Sequence, residues 1–267
     1  MNVHKSLFIA LAGVCLPVIA QSPITTIDNT IATPLSGASS PGNASSILAN
    51  LQISFSGGKP VTNVQLTGTA IWYADGPEDT GTATLTASST GAAQLQLSLS
   101  KSGVRTELQD SIGPTMTCQW SYGSQTLQSA DAMNCWKGEV WFLPALSLQA
   151  ATLPVSVGVV DYGVDADSSG SFHHLQSQMV VPGLPGKMTA QVMQESTTDI
   201  GLDPVSLLPA RLSYKVHPDD GAPIQVPIEV RFSNYQKIGG VEVPFLIRRY
   251  INGSLQLEVS VQSAEIN

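Results

Sequence analysis

Residues 224–267 constrain this chain more than any other stretch. They alternate apolar and polar positions through three segments, joined at Gly239-Gly240 and Asn252-Gly253. Val226, Ile228, Val230 and Phe232 share one side of the first segment. Val241, Val243, Phe245 and Ile247 do so in the second, and Leu255, Leu257, Val259 and Val261 in the third. A period of two buries one face of a strand and wets the other, and Asn-Gly is a strong hairpin signal. The stretch reads as an antiparallel meander with one oily face, which needs a second layer or a ligand to cover it.

The same period recurs upstream. Val64, Leu66, Ala70 and Trp72 share a face; Ala83, Leu85 and Ala87 follow, then Ala93, Leu95, Leu97 and Leu99, then Val104, Thr106 and Leu108. Strands at this turn-punctuated spacing point to a barrel or sandwich rather than to βαβ units. Further strands are expected at 155–162 and 172–181, joined by a polar loop from Asp165 to Ser171, and at 188–194, 196–202 and 210–217. Two short helices interrupt the pattern. Ile47, Leu48, Leu51 and Phe55 recur at helical spacing before Gly57-Gly58, with Ser45 or Ser46 as candidate N-cap. Trp141 to Leu148 reads as a second helix, Pro144 sitting in its first turn.

Compartment is read from the ends and the cysteines. Lys5, the apolar run from Leu7 to Ile19 and the Val18-Ile19-Ala20 site read as a secretory signal cleaved after Ala20, which implies an exported protein. Leu11-Ala12-Gly13-Val14-Cys15 resembles a lipid-attachment box but lacks a small residue before the cysteine, so lipidation of Cys15 is the weaker alternative. No other stretch is long and apolar enough to span a bilayer as a helix. Residues 21–42 are rich in Ser, Thr, Pro and Gly without periodicity and read as a flexible linker. Residues 43–267 then form one domain, with no repeat or second linker inside it. Cys118 and Cys135 survive signal removal; in an exported chain such a pair is expected to form a disulfide, which would stabilise the fold by about 3 kcal/mol.

Charge narrows the partners. Asp and Glu outnumber Lys and Arg 20 to 12, for a net charge of −8, and only 12% of residues are charged. Nucleic acid needs a basic footprint, and anionic lipid surfaces need basic clusters, so neither is an expected partner.

Candidate chemistry is sparse. There is no G-x-S-x-G nucleophile motif. His173-His174 is a tempting metal pair, but neighbours on a strand point to opposite faces. Asp165 to Gly170 mimics the start of a calcium loop, yet Gln176 stands where a Glu is wanted. His217-Pro218-Asp219-Asp220-Gly221 sets an imidazole beside carboxylates and also reads plainly as a turn. No catalytic residue, metal site or cofactor is assigned. Apolar surface remains: Leu51, Trp72, Leu97, Trp141, Phe142, Tyr214, Phe232 and Phe245 are the candidate lining of a pocket for an oily ligand.

The C-terminal meander also carries a resemblance. Phe232-Ser233-Asn234-Tyr235-Gln236-Lys237-Ile238-Gly239-Gly240-Val241-Glu242-Val243-Pro244-Phe245 is similar to a segment of bacterial exported proteins in the LolA/LolB-like (lipoprotein-localisation-factor-like) superfamily. Leu66-Thr67-Gly68-Thr69-Ala70, Trp141-Phe142-Leu143-Pro144-Ala145, and Leu208-Pro209 leading to His217-Pro218 resemble uncharacterised members of the same set. The resemblance implies a mainly β fold, a curved antiparallel half-barrel (an unclosed β-barrel) with short helices over its concave face. It implies a non-catalytic cup for a lipid-like group or a lipoprotein acyl chain. The alternatives are a cell-envelope interaction or sensor module that docks a protein partner, and a hydrolase with dispersed carboxylates.

Overall fold

The computed structural model describes residues 41–74, 76–110, 117–135, 140–149, 157–167, 170–180, 183–218 and 224–267. Cys15, the rest of the segment read as a secretory signal, and nearly all of the expected linker lie outside these residues.

Helix α1 spans Pro41–Ser56 and starts earlier than its serines suggest, with Pro41 at the N-terminal end that suits it. Ala44, Leu48, Leu51 and Phe55 are its buried stripe, spaced three and four apart. Gly57 (φ 64°) and Gly58 (φ 78°) stop it, turning their N–H groups back onto the Ile53 and Gln52 carbonyls. Six strands follow: β1 (Asn63–Trp72), β2 (Asp79–Ser88), β3 (Ala93–Leu99), β4 (Gly103–Asp110), β5 (Thr117–Tyr122) and the two-residue β6 (Gln128–Ser129). A 3-10 turn at Ala132–Cys135 and helix α2 at Pro144–Ser147 come next. The chain then forms β7 (Val157–Asp167), β8 (Gly170–Met179), helix α3 (Gly186–Ser196), β9 (Thr198–Leu202), β10 (Pro209–Val216), β11 (Val226–Ile238), β12 (Val241–Ile251) and β13 (Ser254–Ile266).

All thirteen strands of the described residues lie in one antiparallel sheet, ordered β6-β5-β4-β3-β2-β1-β13-β12-β11-β10-β9-β8-β7. Each half is a meander of consecutive strands, and the first strand pairs with the last to join them. The end strands do not pair with each other, so the barrel is open. Curvature follows from what touches what. Helix α2 contacts both β2 and β10, five strands apart, and α1 contacts both β12 and β7, also five apart. In a flat sheet those strands would be about 24 Å apart, whereas a four-residue helix is only about 6 Å long. The sheet therefore curls around the two helices, which lie on its concave side.

The core is the concave face: Val64, Leu66 and Trp72 of β1, Leu85 of β2, Leu95 and Leu97 of β3, Val230 and Phe232 of β11, Val243 of β12 and Val259 of β13. The segment Val140–Leu148 plugs it, with Phe142, Leu146 and Leu148 fully enclosed. Gln149 is buried among them, and its amide is satisfied: Oε1 accepts from the Val61 N–H at 2.9 Å, and Nε2 donates to the Val61 and Leu146 carbonyls. The meander turns behave as their residues require. Asn252 (φ 52°) and Gly253 (φ 78°) are both left-handed, as a two-residue hairpin joint demands.

Several sequence expectations need correction. Residues 188–194 are not a strand but the middle of α3; Met188, Ala190 and Val192 alternate, yet Lys, Met, Ala, Gln and Glu are strong helix formers and only Val192 and Ser196, four apart, are buried. The loop expected from Asp165 to Ser171 is mostly strand, since Asp165 pairs with Phe172 and Asp167 with Gly170. Strand β4 forms where expected with its inward face inverted: Val104 is exposed, while Arg105 and Glu107 point inward opposite Leu97 and Leu95. The charges are accommodated because the Arg105 guanidinium lies 4.2 Å from both the Trp72 and the Tyr122 rings. In β13 a bulge displaces Leu255 from the buried face and brings Gln256 onto it. Finally, Cys118 and Cys135 are both buried and not bridged, against the disulfide expected from their number and setting. A bridge needs sulfurs about 2.05 Å apart; here Cys135 closes its 3-10 turn and its thiol faces the Asp131 carbonyl at 3.6 Å.

One buried carboxylate has a pH consequence. Asp79 opens β2 and holds the β3–β4 turn: its oxygens accept from Ser100 Oγ, the Lys101 N–H, the Ser102 N–H and Ser102 Oγ at 2.7–2.9 Å. Burial pushes the carboxyl up, but these hydrogen bonds outweigh it and hold it well below the usual carboxylate range. The stabilisation is complete above the unfolded value near ~3.9 and is lost as pH falls towards the depressed folded value. Urea midpoints measured down to pH 3 should therefore fall more steeply for the wild type than for Asp79→Asn, which lacks this titration.

Candidate functional site: an apolar hollow crossed by an ion pair

Between the plug and the curled sheet lies a narrow hollow with a cavity volume of about 70 Å³. Leu95 of β3 and Glu107 of β4 border it on one side. Leu212 and Tyr214 of β10, Ile228 of β11 and Ile251 of β12 form the other, and Trp141 and Phe142 come from the plug. The Trp141 and Phe142 rings meet edge to face, centroids 5.3 Å apart. Burial raises the Tyr214 phenol well above its ordinary value; Arg249 pulls the other way, and Glu107 adds to the rise.

Two charged side chains line this space. Arg249 stands on β12 at the same parity as Val241, Val243 and Ile247, so it points inward. It donates from both terminal nitrogens to the two oxygens of Glu107, at 2.7 Å each, and from Nε to Gln256 Oε1 at 2.9 Å. The Trp141 ring covers the guanidinium, 4.6 Å from its centroid. Burial opposes the Arg249 charge, but the adjacent Glu107 carboxylate outweighs it and raises the guanidinium further.

Of the eight residues proposed from sequence as pocket lining, Trp141, Phe142 and Tyr214 border the hollow. Leu51, Trp72, Leu97 and Phe232 are buried in the core, and Phe245 packs partly buried against it. Arg249, Glu107 and Gln256 were not singled out from sequence, and Ile228 only as one apolar position of its strand. Strand parity was the available signal for Arg249, which continues the run Val241-Val243-Ile247, whereas in β4 parity put Glu107 on the outward side.

The histidines form separate pairs. His173 and His174 point to opposite faces as their adjacency requires: His173 Nε2 lies 2.6 Å from Asp161 Oδ1, and His174 Nε2 lies 2.9 Å from Asp199 Oδ1, its ring stacked on Tyr162. His217 Nε2 meets Glu195 Oε2 at 2.7 Å. None of the three borders the hollow, and no group of three metal-ligating side chains occurs among the described residues. Asp165 and Asp167 belong to β7, and Asp167 pairs with Arg211. Asp219 to Gly221 lie outside the described residues.

No helix among the described residues is long and apolar enough to cross a membrane. No family model matches the sequence, and no curated protein matches it. Solved structures resemble it in fold. A domain assigned to outer membrane lipoprotein sorting, from Vibrio parahaemolyticus, aligns over 85% of this chain and 94% of its own at 7% identity and a TM-score of 0.50. A DUF1329 family protein from Desulfovibrio piger aligns over 85% and 92%, at 9% identity and a TM-score of 0.51. A LolA superfamily protein from Nitrosomonas europaea aligns over 84% and 93%, at 10% identity and a TM-score of 0.50. Identities this low speak to backbone arrangement alone. In its fold the chain is LolA-like: an unclosed, curled antiparallel sheet with short helices in its concavity.

Proposed function

We propose that this is an exported, non-catalytic binding protein, most naturally of the periplasm, whose half-barrel hollow receives a lipid-like group or a lipoprotein acyl chain. The observation that carries the reading is the hollow itself, walled by Leu95, Leu212, Ile228 and Ile251 and faced by Trp141 and Phe142. Its surface is mostly apolar, as in small-molecule sites generally, with Glu107, Gln109, Asn134, Thr198, Arg249 and Gln256 as the polar groups that border it. Affinity would come from burying chain methylenes, about 25 cal/mol for each Å² removed from water, less the ordering of the chain. The free interior is small, so an acyl chain enters only if the walls part. The fold neighbours support the reading, two of them bearing descriptions tied to lipoprotein sorting or the LolA superfamily.

Native mass spectrometry of the protein, purified gently without detergent from its producing cells, tests this. The proposal expects a fraction of molecules carrying one lipid-sized adduct that collisional activation strips off. Protein that is uniformly ligand-free, and stays so after incubation with phospholipid vesicles, contradicts it. The same spectrum gives the mature N-terminus, expected at Gln21.

A further inference from the structure

The Arg249–Glu107 pair joins strands that the sheet keeps far apart. Between β12 and β4 lie β13, β1, β2 and β3, about 24 Å along a flat sheet, yet the two side chains are 2.7 Å apart. The pair therefore runs across the hollow from one wing of the half-barrel to the other. A second tie crosses in the same sense. Asn134, in the 3-10 turn after β6, donates from Nδ2 to the His217 carbonyl at 2.8 Å and accepts the His217 N–H at 2.7 Å, at the end of β10. That second tie uses backbone groups on one side. The Arg249–Glu107 tie is made by side chains only, inside the space a ligand must occupy.

Its partners make it separable. Should Glu107 swing away, Arg249 keeps Gln256 on Nε and the Trp141 ring over its face, contacts that offset part of the cost of losing its counter-charge. Glu107 is the less enclosed of the two, its side chain 17% exposed against 8% for Arg249. The departing group would be the carboxylate, and the wings would no longer be held at their present width.

We infer that Arg249 and Glu107 form a releasable strut across the hollow, which keeps the cup narrow when empty and must part for an apolar ligand to enter. The inference rests on the binding function proposed above. The wild type, Glu107→Gln and the double variant Glu107→Arg/Arg249→Glu are compared, with Lys237→Met as a control that removes only the exposed Lys237–Glu242 pair. Two readouts are taken on the full chain. The first is the distance between spin labels on cysteines introduced at the exposed positions Val104 and Lys215, one on each wing, without ligand. The second is the association rate of N-phenyl-1-naphthylamine, an uncharged apolar dye whose fluorescence rises on burial.

Glu107→Gln should lengthen or broaden the label distance and raise the association rate at least about tenfold, equivalent to about 1.4 kcal/mol off the entry barrier. The charge-swapped double variant should return both readouts towards wild type, and Lys237→Met should change neither. An unchanged label distance in Glu107→Gln overturns the strut; a longer distance with an unchanged rate overturns its control of entry. Should Glu107→Gln not fold, the wild type decides alone: saturation with dye must lengthen the label distance, and a fixed distance refutes the inference. Failure of the wild type to take up dye contradicts the binding function instead, and the strut is then judged on the ligand-free distance.

Discussion

Arg249→Met alone should destabilise the protein by about 3 kcal/mol, because it leaves the Glu107 carboxylate in an apolar hollow without its counter-charge. The expectation sits at the low end of what breaking a buried pair removes, since Glu107 retains some contact with solvent. Adding Glu107→Leu should recover most of that loss. A well-packed apolar pair in place of a buried ion pair is frequently neutral or stabilising, as desolvation of two charges offsets much of their attraction. Urea unfolding of the wild type, both single variants and the double variant forms a closed cycle. A strongly non-additive cycle, with the double variant near wild type, is the expected pattern. Additive losses would mean that the two side chains stabilise the fold through contacts other than each other. The cycle also separates stability from function: the double variant should be stable while having lost the strut, so its dye entry should be fast.

Phe55→Ala should be comparably severe, about 3–5 kcal/mol, for a different reason. Phe55 is fully buried in the last turn of α1 and belongs to the same cluster as Leu51, Val243 and Phe142. Truncation removes an aromatic ring from a site that cannot collapse, because the curled sheet fixes one side and the plug the other. Ile53, two residues earlier and largely exposed, gives the matched control: Ile53→Ala should stay within about 0.5 kcal/mol of wild type. Near-equal midpoints for the two variants would mean that α1 contributes little to the concave packing.

These residues also show how much of the molecule was legible in the chain. Wherever one face of a strand is buried and the other wetted, period-two alternation located both strand and face, as in Val226-Ile228-Val230-Phe232 and Leu95-Leu97-Leu99. Alternation failed where its premise failed. Residues 188–194 alternate by composition, yet the segment buries so little that helix propensity decided its form. Strand β4 offered Val104, Thr106 and Leu108 as the apolar side, but Trp72 and Tyr122 turned Arg105 inward, and Arg249 turned Glu107 inward. Such partners are a tertiary fact that no local window contains: Glu107 and Arg249 are separated by 142 positions. For the same reason the bulge that carries Gln256 to Arg249 could not be read from the third meander segment. The cysteines illustrate the opposite hazard, a rule of composition that decides pairing without knowing where the thiols point.

The hollow was legible in part. Trp141 and Phe142 stood out as large aromatics just before the short oily helix that Pro144 starts, and Tyr214 because it sits on a half-buried strand. The walls at Leu95, Leu212 and Ile228 are indistinguishable in sequence from core positions such as Leu97 or Phe232. Only the curl of the sheet decides which of them faces empty space.

Trp141 gives the most direct test of the claim that an acyl chain occupies this space, because its ring borders the hollow and covers Arg249. Titration with 9,10-dibromostearic acid should quench tryptophan fluorescence saturably, with a stoichiometry of one, and Trp141→Phe should lose most of that quenching while still binding. Quenching that is absent, never saturates, or is unchanged in Trp141→Phe would place the chain elsewhere or nowhere, and contradict the account.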